Sequence, residues 1–123
     1  GRPLDSLAQL AVRALMLAGK RGVVLGSHEG LGPSLLASAG DAAELGAYAA
    51  GHVLWVRWAP HEALLPRCCA AVHHGGCGTT GASLRSGRPA VVTPIMLDQH
   101  FWGRQVERLG VGVKTGALRG VEN

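Results

Sequence analysis

Aromatic side chains are scarce in this sequence. Tyr48, Phe101, Trp55, Trp58 and Trp102 are all it has, 4% of 123 residues. Its core must therefore be aliphatic, filled by Ala, Val and Leu. The basic residues, among them Arg57, Arg67, Arg85, Arg88, Arg104 and Arg108, are scattered. A nucleic-acid surface needs a basic stripe with rings for stacking, so no nucleic-acid partner is expected. Charged residues are also few, 16% against 47% apolar, which is a globular and not a disordered composition. The net charge of +4 suits an anionic small ligand. Long apolar runs are missing too: none reaches the ~18 residues of a membrane span. The stretch from Leu4 to Leu17 is interrupted by Asp5 and Arg13, and nothing reads as a secretory signal. Cysteine is limited to Cys68, Cys69 and Cys77. Their number is odd, and a vicinal pair rarely bridges, so a reduced, cytoplasmic setting is expected.

What remains is one domain's worth of chain, residues 1–123, able to bury roughly 65% of its unfolded surface around one core. Leu4, Leu7, Leu10, Ala11, Ala14, Leu15 and Ala18 form one apolar helical face, with Gly19 as its stop. Short apolar strands are expected at 22–26, 52–56, 70–73, 90–93 and 111–113. Helices are expected at 61–65, 78–86 and 98–109, with Asp98 able to cap the last. Residues 26–34 read as a loop punctuated by Gly and Pro, and residues 35–50 are ambiguous. Alternation of this kind indicates an α/β domain with a buried parallel sheet, whose ligands sit at the carboxyl ends of the strands.

One such end carries H-H-G-G-C-G-T-T-G, His73 to Gly81. Glycines there let the backbone approach a ligand, and the N–H groups and dipole of the following helix favour an anion. Thr79 and Thr80 add hydroxyl donors. The plainer alternative is a tight turn with capping threonines, but four glycines between Gly75 and Gly81 exceed what a turn needs. A phosphate is the expected guest. Gly76 to Gly81 also spells G-x-G-x-x-G, the dinucleotide fingerprint, but the acidic residue that should end the next strand is missing. No Lys follows the glycines, which excludes a P-loop. His73 and His74 are adjacent on a strand and face opposite sides, so with Cys77 they make no metal site.

The run from Trp58 to Gly112 combines W-A-P-H, H-H-G-G-C-G-T-T, G-R-P and P-I-M-L-D-Q-H-F-W-G. It resembles the C-terminal domain of UDP-glucose:sterol glucosyltransferases and of related bacterial enzymes acting on natural products. The resemblance implies a Rossmann-like parallel sheet flanked by helices, the donor half of a two-domain GT-B enzyme, inverting and without metal or cofactor. It assigns the donor diphosphate to His74, Gly75, Gly76, Cys77, Gly78, Thr79 and Thr80. It assigns the donor sugar to Asp98 and Gln99, and the uracil to Trp58, Ala59 and His61. Asp98 as a mere helix cap and Trp58 as core packing are the plainer alternatives, and Phe101 and Trp102 are expected to pack their helix. The catalytic base and the site for a lipophilic acceptor would lie in an N-terminal domain, leaving the full-length protein able to sit peripheral to membranes. Plant relatives have a Glu where this chain has Ala82; sterol-type members lack it as well.

In the resembled enzymes a strand with a Gly-Ser turn precedes the helix that begins here near Leu4, and it lies mid-sheet. The expectation is thus a domain lacking its first strand. The slot would be filled by rearrangement, by a homodimer mate or by a partner chain, unless the chain is a trimmed form. The leading reading is the UDP-sugar domain of a hexosyltransferase, inactive alone. A separate donor subunit, or a nucleotide- or dinucleotide-binding module without activity, are the other readings.

Overall fold

The computed structural model describes residues 3–26 and 30–116. They fall into two compact units, parted between Ala59 and Pro60.

The first unit opens with α1 (Pro3–Ala18), which buries Ala8 and Val12 completely. These meet Leu31, Leu36, Leu45 and Ala49 in an aliphatic core, with Leu4, Leu7, Met16 and Tyr48 packed at its margin. Gly19 ends α1 at φ +65°, a backbone angle that favours glycine. The Lys20 N–H donates to Leu15 O and the Gly19 N–H to Met16 O, closing the left-handed cap that satisfies the last carbonyls. Strand β1 (Gly22–Leu25) follows, then a 3-10 turn at Pro33–Leu36, α2 (Ala42–His52) and β2 (Val53–Val56). The two strands pair in parallel, Gly22 opposite Val53 and Leu25 opposite Val56. The ambiguous stretch is thereby resolved: α2 forms because Leu45 and Ala49, four apart, are both buried. Asp41 stands at its N-cap without capping it, since its two oxygens accept from Arg13 Nε at 3.1 Å and a second guanidinium nitrogen at 2.7 Å. That pair holds the Asp41 carboxyl below its ordinary pKa, chiefly through the hydrogen bond itself.

The second unit contains α3 (His61–Leu64), a 3-10 turn at Leu65–Arg67, β3 (Ala71–His73), α4 (Cys77–Arg85), β4 (Ala90–Val92), α5 (Gln99–Arg108) and β5 (Gly112–Lys114). Its three strands form a parallel sheet in the order β3-β4-β5. Register sets His73 opposite Val92, and Val92 opposite Lys114. Ala90, Val92 and Val106 make the core under α5. The first unit thus holds a two-stranded parallel sheet and the second a three-stranded one.

Candidate functional site: a glycine loop beside a pinned carboxylate

The short strand β3 delivers His73 and His74 to the carboxyl edge of the sheet of the second unit. Alternation sends them apart, as their spacing requires. His73 is half-buried and His74 exposed. Each imidazole then does the same local work. Nδ1 of His73 accepts the Gly75 N–H at 3.1 Å, and Nδ1 of His74 accepts the Gly76 N–H at 3.1 Å. An acceptor at Nδ1 in a neutral ring places the proton on Nε2. The Nε2 of His73 is buried with no partner among the described residues. Burial, then the neighbouring His74 and His61, push the pKa of His73 below its ordinary 6.5.

Gly75 turns the chain at φ +93°. A Cβ on it would stand 2.8 Å from Val92 Cγ1 and 2.9 Å from Gln99 O, so the loop lies against the start of α5. Gly76 is the N-cap of α4, and its carbonyl accepts the Thr80 N–H at 2.8 Å. The N–H groups of Cys77, Gly78 and Thr79 find no acceptor among the described residues. They form the open, electropositive end of the helix. A Cβ on Gly78 would meet nothing within 4 Å, so the approach to these donors is clear. Thr79 is half-buried and Cys77 is an exposed free thiol. Thr80 differs from its neighbour: it is 2% exposed, and its hydroxyl lacks a partner among the described residues. Ser83, one turn on and equally buried, is in the same state.

The loop from Pro94 to Asp98 follows the neighbouring strand β4. Gln99 Oε1 accepts the N–H groups of Ile95 at 2.8 Å and Met96 at 3.0 Å. Within this loop Leu97 adopts φ +55°, a left-handed conformation costing a residue with a Cβ about 1–2 kcal/mol. Leu97 is 83% exposed, so core packing does not repay that strain. Asp98 occupies the N-cap position of α5 but makes no capping hydrogen bond. Its Oδ2 instead accepts the indole N–H of Trp102 at 3.0 Å, one helical turn further on. The glycine loop and the Asp98-Gln99 pair, 17 or more residues apart in sequence, thus sit on adjacent strand ends. Trp58 and Ala59 end the first unit and His61 opens α3 of the second. Trp58 is 75% exposed, so it is not core packing within its unit. Shallow depressions of about 310 Å³ lie elsewhere, one against Arg88 and Gly110 and another against Ala49 and Trp55. Donors at an open helix end, not an enclosed cavity, define the site. Among the described residues no three His, Cys, Asp or Glu side chains gather as a metal site. Nor is any described helix long and apolar enough to cross a membrane.

Residues 34–119, well over half the chain and including both halves of this site, match the family of the erythromycin biosynthesis protein CIII-like C-terminal domain. The chain belongs to this family. The CIII-like domain is also 54% identical over 61 residues to a sterol 3-beta-glucosyltransferase of Penicillium rubens. It is 46% identical over 70 residues to the terpene cyclase-glycosyl transferase fusion protein fsoA of Humicola fuscoatra. These matches take in about half of this chain but only 4% and 5% of the relatives. Among solved structures it is similar to the glycosyltransferase SnogD from Streptomyces nogalater, with a TM-score of 0.52 and 32% identity over 80% of this chain and 30% of that one. The glycotransferase of kitacinnamycin gives a TM-score of 0.51 and 34% identity over 53% of this chain and 17% of that one. The fold is therefore the parallel α/β fold of a GT-B glycosyltransferase C-terminal domain.

Two features of this CIII-like domain escaped the sequence reading. One is the doubled H-x-G contact by which each histidine grips the glycine two residues on. The other is the Asp98–Trp102 hydrogen bond. Both have a visible signal, spacings of two in a turn and of four in a helix, but neither spacing says which atoms meet.

Proposed function

We propose that this chain is the donor-binding domain of a glycosyltransferase that takes a UDP-sugar, UDP-glucose foremost, and serves transfer to a hydroxyl of a sterol-like or other lipophilic acceptor. The observation that carries this is the open end of α4, where three backbone N–H groups converge without an acceptor among the described residues. Such donors, fixed before the ligand arrives, are what a leaving diphosphate needs as negative charge grows on it. In this reading Gly75 to Thr79 cradle the diphosphate, with His74 beside it. This takes the place of a metal ion, and attack proceeds with inversion. Thr80 is 2% exposed, so in this reading the hydroxyl contact falls to Thr79. Asp98 and Gln99 orient the sugar, and Trp58, Ala59 and His61 meet the uracil. The base that deprotonates the acceptor would come from the rest of a longer protein. The glucosyltransferase names of the relatives support the donor class, and the sterol in those names supports the acceptor.

Calorimetry with UDP, UDP-glucose and NAD tests the proposal. Thr79→Ala should weaken both UDP and UDP-glucose, by roughly tenfold for one lost hydrogen bond to a charged group. Asp98→Ala should weaken only UDP-glucose. Tighter binding of NAD than of UDP would overturn the assignment.

A further inference from the structure

We propose that Trp102 is a positioning residue for the donor sugar, holding the Asp98 carboxylate so that one oxygen is left to receive a sugar hydroxyl. The proposal rests on the donor-sugar reading of Asp98. An aspartate at an N-cap ordinarily accepts the N–H two or three residues on. Asp98 does not, and its Oδ2 is held by the Trp102 indole at 3.0 Å. The Phe101 ring meets Trp102 edge-on, with centroids 4.9 Å apart and planes at 75°, and so steadies the indole. Oδ1 keeps no partner among the described residues. Both groups that meet Gln99 Oε1 are backbone N–H donors, so that atom is the carbonyl oxygen, and the amide NH2 has no acceptor among the described residues. The pair therefore offers one acceptor and one donor on a loop pinned at both ends. A sugar hydroxyl, which donates once and accepts as well, fits between them.

The test compares UDP-glucose with UDP on the whole chain by calorimetry, using Trp102→Phe, Asp98→Ala and the double variant. Trp102→Phe keeps an aromatic ring and loses the N–H together with the five-membered part of the indole. It should weaken UDP-glucose roughly five- to tenfold and leave UDP unchanged. The double variant should bind UDP-glucose no more weakly than Asp98→Ala alone, because both remove the same interaction. A purely structural tryptophan would weaken both ligands alike or add its loss to that of Asp98→Ala, and either result overturns the proposal. So does an unchanged UDP-glucose affinity in Trp102→Phe when Asp98→Ala weakens it. If Asp98→Ala itself has no effect on UDP-glucose, the donor-sugar reading fails and this inference falls with it. Should Trp102→Phe lower the melting temperature, the indole 1H–15N resonance of Trp102 in the unaltered chain decides. It should shift on adding UDP-glucose and not UDP; no difference between the ligands overturns the proposal.

Discussion

His73 shows how much one side chain can control in a loop made of glycine. Its Nδ1 holds the Gly75 N–H only while the ring is neutral, and burial keeps it neutral by lowering its pKa below 6.5. A depressed folded-state pKa means the folded form resists a proton that the unfolded form accepts. The stability His73 contributes is therefore fully present above about pH 6.5 and is lost as the pH falls from there through the folded value. Melting temperatures taken from about pH 8 down to about pH 5 should fall in that lower window, and the fall should be smaller in His73→Gln. The glycines make a second contrast. Gly75→Ala combines a left-handed φ of +93° with a Cβ 2.8 Å from Val92, so this variant should lose much of its melting temperature. Gly78→Ala meets nothing within 4 Å and should melt normally. It would place a methyl group before the free N–H groups, so UDP should bind it more weakly. Calorimetry beside a melting curve separates the two effects.

Helices α2 and α5 are fixed by what they bury rather than by their N-caps. Asp41 and Asp98 both occupy N-cap positions, and neither side chain caps: one is taken by Arg13, the other by Trp102. Leu45 in α2 is 0% exposed and Val106 in α5 is 1% exposed. Removing a buried leucine side chain costs about 2–5 kcal/mol, against the 5–15 kcal/mol of an ordinary domain. Leu45→Ala should therefore speed amide exchange across α1 and α2, the elements whose core it completes. Val106→Ala, a smaller cavity costing about 1–3 kcal/mol, should speed exchange in α5 and β4. Hydrogen exchange resolved by residue reads both. Uniform acceleration over the whole chain in either variant would contradict the assignment of each side chain to its own unit's core.

At the scale of the whole molecule the positive charge is thinly spread. A net +4 with no clustered stripe gives a weak general field, while the donors proposed for the diphosphate are neutral N–H groups. Salt should consequently weaken UDP binding only modestly, by a few-fold as the Debye length falls from about 30 Å at 0.01 M to about 3 Å at 1 M. A titration series in sodium chloride measures this. A loss of several orders of magnitude would mean that side-chain cations, not the helix end, carry the binding.

Much of this protein follows from sequence pattern. The apolar spacing of Leu4, Leu7, Leu10, Ala11, Ala14, Leu15 and Ala18 marks out α1 and Gly19 its end, but the face that is fully buried is that of Ala8 and Val12, while Leu10, Ala14 and Ala18 are exposed. The glycine loop is visible in the sequence because four glycines between Gly75 and Gly81 exceed what a turn needs. Family resemblance, and not periodicity, was needed to connect that loop with Asp98 and Gln99. Residues 35–50 stayed ambiguous because an Ala-rich stretch has little apolar contrast, and only the buried faces of Leu45 and Ala49 select a helix. Atomic partnerships belong to the tertiary structure: which imidazole nitrogen grips a glycine, that Thr80 turns inward while Thr79 lies nearer the surface, and that Asp98 is held by an indole. Residue type fixes which hydrogen bonds a side chain can make. Only packing, by bringing neighbouring strand ends together and excluding water from some groups and not others, decides which of them it does make.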